Sequence, residues 1–420
     1  MELALRARGL AASAARAEAD VVVINTCTVT AAADQDARQA IRRAHRENPA
    51  AEILVTGCYA QRAPQELAAL PGVTWVVGNS HKLDLPDLVG IASARQPSVA
   101  FHGQILVGDI FSQTGFLSAP VEDASGDRSR PNLKIQDGCN NRCSFCVIPS
   151  VRGPSRSATA ETVIGQVRSL AERYREVVLT GINLGRWGRD LPGRPRLAGL
   201  LRRVLDQTPV ERLRLSSIEP LDWSDELLEL VVGESRLARH VHAPLQSGSD
   251  AVLRRMYRRY RTRHYAARIE KAWRLMPDAA FGADVMVGFP GETVEEFEQT
   301  RRFIDGLPFT YLHVFTYSVR PGTVAAALPG QVAAPVARER NRILRELAAE
   351  KGRRFRESLV GRTVSVVTLE QDHPEGAVGL SGNYVRVVVR GERIPAKRLL
   401  EVRITSAVGD VVMGLKRDQR

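Results

Sequence analysis

The stretch LKIQDGCNNRCSFC, residues 133–146, decides the fold. An apolar strand pattern runs into Gly138 and gives way to Cys139, Cys143 and Cys146 in C-x3-C-x2-C spacing. Gly138 and Asn140 supply the backbone freedom that a sharp turn demands. Spacing this tight lets one loop wrap three corners of a cube. Three thiolates hold three irons of a [4Fe–4S] cluster and leave the fourth iron open to a small chelating molecule. Structural zinc is the competing reading. Such a site normally closes with four ligands, usually from two C-x2-C knuckles. Here there is no second knuckle, and the nearest downstream histidine is His240.

Outward from the cysteines, strand and helix patterns alternate. After NLKIQDG come EVVLTGIN (176–183), RLRLSSIEP (212–220), RHVHAPLQ (239–246), GADVMVGFP (282–290) and YLHVFTYS (311–318), separated by helical stretches such as 158–174 and 293–307. Six β/α units predict a partial, open (β/α)6 barrel over 132–334, with its chemistry at the C-terminal strand ends. Upstream, ADVVVINT, AEILVTG and VTWVVGN alternate with helices in a Rossmann-like parallel α/β domain over 1–117. Residues 118–131, rich in Ser, Asp and Pro, read as a linker. A charged connecting helix is expected over 335–357. Beyond it, β-branched runs divided by Gly, Asn and Pro predict a small antiparallel β-barrel over 358–420. A chain of 420 residues accommodates these three domains.

No apolar run approaches the roughly 18–20 residues of a membrane span, and the charged N-terminus lacks a signal-peptide core. A cytoplasmic address with no membrane partner is the expectation, and there the five cysteines stay reduced as ligands or nucleophiles. The net charge of +12 points to a polyanionic partner, against an Arg-rich genome as the bland explanation. Location favours the partner. Between Arg254 and Arg268 seven arginines occur with no acid, interleaved with Tyr257, Tyr260 and Tyr265. That pattern offers phosphate contacts and stacking surfaces, so Arg254, Arg255, Arg258, Arg259 and Arg261 are candidate RNA contacts. From Arg338 to Arg362 nine basic residues face four acids.

LKIQDGCNNRCSFCVIPSVRGPSRS, LTGINLG, RLSSIEP, HAPLQSGSD, DVMVGFPGET and HVFTYSVRPGT together resemble the radical S-adenosylmethionine (SAM) methylthiotransferases over residues 20 to 330. The pattern is most similar to the branch that modifies C2 of N6-threonylcarbamoyladenosine at tRNA position 37, and the terminal β module looks like that family's TRAM RNA-binding domain. The resemblance implies that Cys139, Cys143 and Cys146 hold the catalytic cluster, which chelates SAM, and that a second, auxiliary [4Fe–4S] cluster donates sulfur. It also implies the tRNA anticodon stem-loop as substrate, a flavodoxin or ferredoxin as electron donor, and a monomeric enzyme.

The resemblance carries further residues with it. Phe145 is a candidate to pack on the SAM adenine, or simply to fill the loop. Gly181 and Asn183 lie where similar turns approach the methionine moiety. Glu219, Gln246, Ser247 and Ser249 end barrel strands, where polar groups are candidate cofactor contacts. Ser249 equally suits a helix N-cap, as Thr293 does, with Glu296 completing a capping box. Gly288 and Gly291 end a further strand against the adenine, and Asp284 is structural or SAM-adjacent. Arg152 and Arg156 would steer the SAM carboxylate or tRNA phosphate, or lie on a solvated surface.

Cys27 in NTCTVT and Cys58 in TGCYAQ match two of the family's three auxiliary-cluster cysteines. Each follows a parallel strand and precedes a helix, so the two converge on one sheet edge. Two buried apolar thiols are the bland alternative. The third ligand normally sits earlier, in a GC turn after an opening strand, and no such cysteine is present. A start set too late, a shortened chain or a two-thiolate site are the expectations, with weak binding of the auxiliary cluster. Rival functions are methylthiolation of an isopentenyl-type tRNA adenosine or of a ribosomal-protein aspartate, and a non-catalytic RNA-binding protein with structural metal.

Overall fold

The computed structural model describes residues 1–92, 103–117, 121, 129–391 and 393–417, so most of the expected linker at 118–131 lies outside the described residues. The chain divides into two compact units. The first joins Met1–Leu117 to the cysteine loop Gly138–Pro154 and to Ser318–Ala327. Its sheet is parallel throughout, in the order β1 (Val21–Thr26), β2 (Glu52–Gly57), β3 (Val73–Val77) and β4 (Gln104–Leu106). The first three strands are the apolar runs read from sequence. β4 is only three residues long, too short to show a period.

Helix α1 (Ala31–Glu47) starts at Thr30, whose side chain accepts the Ala33 N–H. It buries Ile41 against Ile53, Val55, Tyr59 and Val76. Asp34 on α1 is buried and accepts from Thr28, Arg62 Nη2 (2.9 Å) and Arg320 Nη1 (2.6 Å), so one carboxylate ties three segments together. Register aligns Thr26 with Gly57, which puts the ends of β1 and β2 side by side. Gly57 has φ +103°, and a Cβ there would lie 2.3 Å from the Thr26 carbonyl oxygen; only glycine permits that approach. Helix α2 (Cys58–Arg62) begins on the next residue, and α3 (Ile148–Arg152) closes the cysteine loop.

The second unit comprises Ser118–Asp137, Ser155–Tyr317 and Leu328–Arg420. Strands β5 (Asn132–Asp137), β7 (Glu176–Gly181) and β8 (Arg212–Leu215) are parallel, with a short antiparallel β6 (Arg156–Ser157) on the edge. β9 (His240–His242), β10 (Ala280–Val287) and β11 (Tyr311–Thr316) form a second parallel sheet. A bridge between Leu213 and Leu237, and the Ile218 N–H bond to His242 O, join the two sheets into the open six-stranded barrel. Helices α4 (Ala160–Ala171), α5 (Leu197–Gln207), α6 (Asp225–Gly233), α7 (Asp250–Arg255), α8 (Thr262–Leu275) and α9 (Val294–Gly306) connect the strands. α4 buries Val163, Ile164, Val167 and Leu170 at helical spacing. The Thr293–Glu296 capping box is present at the start of α9.

Helix α10 (Ala334–Ser358) leads into a closed barrel of β12 (Thr363–His373), β13 (Gly376–Ser381), β14 (Arg386–Arg390), β15 (Leu399–Val408) and β16 (Val411–Lys416). Every pairing is antiparallel except β14–β16, which is parallel and closes the ring. The sequence shows three β-branched runs here. The Gly-bearing β13 lacks a β-branched signature, and one long run splits at Gly409-Asp410 into β15 and β16. At the start of β7, Glu176 is fully buried among Arg130 (2.9 Å), Arg212 (3.1 Å) and Arg214 (2.8 Å). Burial pushes its carboxyl up, but these arginines outweigh it and hold the pKa at about 2. Arg212 and Arg214 also donate to Leu380 O, Ser381 O, Gly382 O and Ser365 Oγ, which fastens the C-terminal barrel to the (β/α) barrel.

Candidate functional site

All five cysteines belong to the first unit. In the loop, Gly138 has φ +69°, and a Cβ there would lie 2.0 Å from the Pro154 carbonyl oxygen, so the turn requires glycine. The Cys139 N–H bonds to Gly153 O (3.1 Å), which ties the start of the loop to its end. Cys139, Cys143 and Cys146 are each half-buried. Backbone N–H groups turn onto the sulfurs, from Asn141 to Cys139 Sγ (3.4 Å) and from Ile148 to Cys146 Sγ (3.4 Å). Such N–H···S bonds are among the features that set the potential of an iron–sulfur centre. Phe145 is half-buried within the loop, and Ser144 O accepts the Ala325 N–H.

Cys27 and Cys58 follow the aligned ends of β1 and β2. Cys27 is exposed and takes the Val29 N–H at 3.5 Å. Cys58 is buried, with Arg152 Nε at 3.0 Å and the amide of buried Asn79 at 3.6 Å. Arg152 is thus a sulfur partner rather than a SAM-carboxylate, phosphate or solvated arginine of the kinds its sequence context suggests. A cationic donor suits a sulfur that carries ligand charge. The second Asn79 contact, to Val151 O (2.8 Å), holds α3 beside this sulfur.

In the second unit, Gly181 ends β7 against Gln136, and the Asn183 N–H donates to Gln136 Oε1 (2.7 Å). Gln136 also donates to Ser155 Oγ (2.9 Å), so one buried amide orders two strand ends. Gln246 has φ +64°, an uncommon conformation outside glycine, and its N–H donates to Asp284 O (2.8 Å). Ser247 Oγ contacts Thr300 Oγ1 (3.1 Å). Ser249 occupies the N-cap of α7 but makes no side-chain cap bond; its buried hydroxyl has no partner among the described residues. Glu219 is half-buried and paired with Arg258. Arg156 is buried, which excludes the solvated reading for it.

Residues 133–304 match the radical SAM superfamily, and residues 1–78 match the uncharacterized protein family UPF0004. The threonylcarbamoyladenosine tRNA methylthiotransferase MtaB of Bacillus subtilis is 39% identical, over 93% of this chain and 86% of that protein. The chain belongs to the radical SAM tRNA methylthiotransferases. A tRNA-2-methylthio-N(6)-dimethylallyladenosine synthase of Thermus thermophilus is 32% identical, covering 94% of this chain and 83% of that one. Among solved structures, the radical SAM methyltransferase TsrM of Kitasatospora setae superposes with a TM-score of 0.57 at 18% identity. The match covers 74% of this chain and 67% of TsrM, a likeness of fold.

The methylthiotransferase's donor set fits a radical SAM cluster: three half-buried thiols on one loop, with main-chain N–H groups aimed at two of them. The Arg/Tyr stretch needs a correction. Tyr260 and Tyr265 are core residues, their hydroxyls donating to Leu245 O (2.7 Å) and Ala243 O (2.7 Å), so neither is a stacking surface. Arg255 pairs with Glu296 (2.6 Å), and buried Arg258 pairs with Glu219. Arg261 is half-buried and donates to Tyr260 O (2.9 Å). Arg254, Arg259 and Tyr257 remain exposed. Alternation of apolar and polar residues hid this, because a tyrosine with its hydroxyl on a carbonyl reads the same in sequence as an exposed one. On α10, Arg342, Arg353 and Arg354 pair with glutamates three or four residues away, a solvated ion-pair face.

Proposed function

We propose that this enzyme methylthiolates C2 of N6-threonylcarbamoyladenosine at position 37 of tRNA. The observation that carries the reading is the three-thiol loop in a chain whose 39%-identical relatives bear that activity in their names. Cys139, Cys143 and Cys146 would hold the [4Fe–4S] cluster, which would supply the place where SAM binds and the electron for its cleavage. Cys27 and Cys58 would supply two of the three thiolates expected for the auxiliary, sulfur-donating cluster, which this chain would then bind weakly, with Arg152 and Asn79 setting the environment of Cys58. Gly181, Asn183, Glu219, Gln246 and Ser249 are the SAM contacts proposed at the barrel strand ends, and Phe145 that proposed in the cysteine loop; the Gln136 amide that orders Gly181 and Asn183 supports the former. Arg254 and Arg259 contact the anticodon stem-loop, and a flavodoxin or ferredoxin supplies electrons.

Nucleoside mass spectrometry of tRNA from a strain lacking the gene tests the reading. Loss of 2-methylthio-N6-threonylcarbamoyladenosine is expected. Its persistence, with loss of the dimethylallyl counterpart instead, overturns the substrate assignment. Retained zinc and no cubane absorbance near 400 nm after anaerobic reconstitution would overturn the enzyme reading, about the range where such clusters absorb.

A further inference from the structure

His242, Asp284 and His313 stand on three adjacent strands, β9, β10 and β11. Asp284 is the register partner of His313, and His242 pairs with Gly282, one side-chain step away on the same face. His242 Nε2 lies 3.2 Å from Asp284 Oδ1, and His313 Nδ1 lies 3.1 Å from that same oxygen. Donor atoms bound to one transition-metal ion at 2.0–2.2 Å stand roughly 3 Å apart. All three ligand atoms lie within 4.8 Å of one another.

The surroundings match a metal site as well. His242 Nε2 is buried and faces Asp284 Oδ1 at 3.2 Å, while Nδ1 of the same ring is held by Tyr311 Oη at 2.8 Å. Tyr311 Oη in turn meets His240 Nε2 at 2.6 Å, and Tyr384 stacks on His240 with ring centroids 4.5 Å apart. Metal-bound histidines almost always have their second nitrogen fixed in this way. A metal on Nε2 leaves Nδ1–H to donate to Tyr311, whose own hydroxyl then donates to His240. His242 is buried whereas His313 is 49% exposed, so one side of the cluster is open.

We propose that His242, Asp284 and His313 bind a divalent transition-metal ion whose open positions take a carboxylate. Two imidazoles and one carboxylate leave such positions on a four- to six-coordinate ion. On the reading given above, on which this part rests, the carboxylate is that of the substrate's threonyl group.

The test dialyses the reconstituted holoenzyme against Zn²⁺ and counts bound zinc, with iron counted in parallel. Wild type is expected to keep about one equivalent more than His313→Ala, since loss of one ligand breaks the site. Both proteins retain all five cysteines, so zinc on thiols does not distinguish them. Tyr311→Phe should weaken zinc about 10–100-fold, the usual effect of removing an outer partner. His313 is half exposed, and equal iron in the variant certifies its fold; if iron falls, His313→Gln replaces it. Equal zinc in wild type and variant overturns the site. In a second arm, zinc should strengthen binding of a stem-loop bearing threonylcarbamoyladenosine over one bearing adenosine. Zinc bound without that preference overturns the carboxylate assignment alone. Neither readout requires turnover, so failure here is separable from failure of the proposed activity.

Discussion

The cysteine-bearing loops and the buried ion-pair clamps use charge in opposite ways. In the first, the chemistry-bearing groups are thiols, most of them partly accessible and touched by N–H donors at 3.0–3.6 Å. In the second, the buried charges are closed on themselves: Glu176 meets three arginines, and Glu292, whose carboxyl burial pushes up, meets Arg340 at 2.6 Å. The difference teaches that a site meant to accept a cofactor leaves donors to be satisfied from outside, whereas a charge that serves packing must be satisfied within the fold.

That contrast can be broken at its strongest point. Cys143→Ala should lower 5′-deoxyadenosine formation to background while leaving thermal stability nearly unchanged, as differential scanning calorimetry would show. A large loss of stability would mean the loop is a structural staple. Glu176→Ala should do the reverse, costing about 3–5 kcal/mol because Arg212 and Arg214 are left buried without their counter-ion. Denaturant unfolding measures it, and a change under about 1 kcal/mol would contradict the clamp.

The same group sets a pH window. The folded Glu176 pKa of about 2 lies below its ordinary 4.5, so its contribution is complete above pH 4.5 and is lost as pH falls toward 2. The Glu176 share of the stability lost in that window should be absent in Glu176→Gln, whose side chain does not titrate, as acid titrations of the two proteins would show. Arg152→Met removes the cationic donor from Cys58. It should leave 5′-deoxyadenosine formation intact and reduce methylthio transfer, with a shifted potential at the proposed auxiliary centre; equal loss of both would place Arg152 at SAM. Arg254→Ala with Arg259→Ala carries the smallest effect. Binding to tRNA should weaken uniformly, with a shallower salt dependence by about one per lost phosphate contact.

Much of this was legible in the chain. The C-x3-C-x2-C loop is local, and so are the strand runs and the Thr293–Glu296 capping box, because each needs only neighbours within a few residues. Residues that act through distant partners were not legible. Nothing in VRGPSRS tells that Arg152 reaches Cys58, 94 positions away, or that Tyr260 turns inward while Tyr257 does not.

The sequence alone thus determined the order of elements, the three-thiol loop and the strand ends on which Cys27 and Cys58 follow. The tertiary structure decided which arginines meet a sulfur, clamp a buried carboxylate or face solvent, and gathered His242, Asp284 and His313 onto one face. The physical reason is that periodicity reports which side of an element is apolar. A polar group's role depends on what stands opposite it, and β-sheet register chooses that across gaps of 29 and 42 residues.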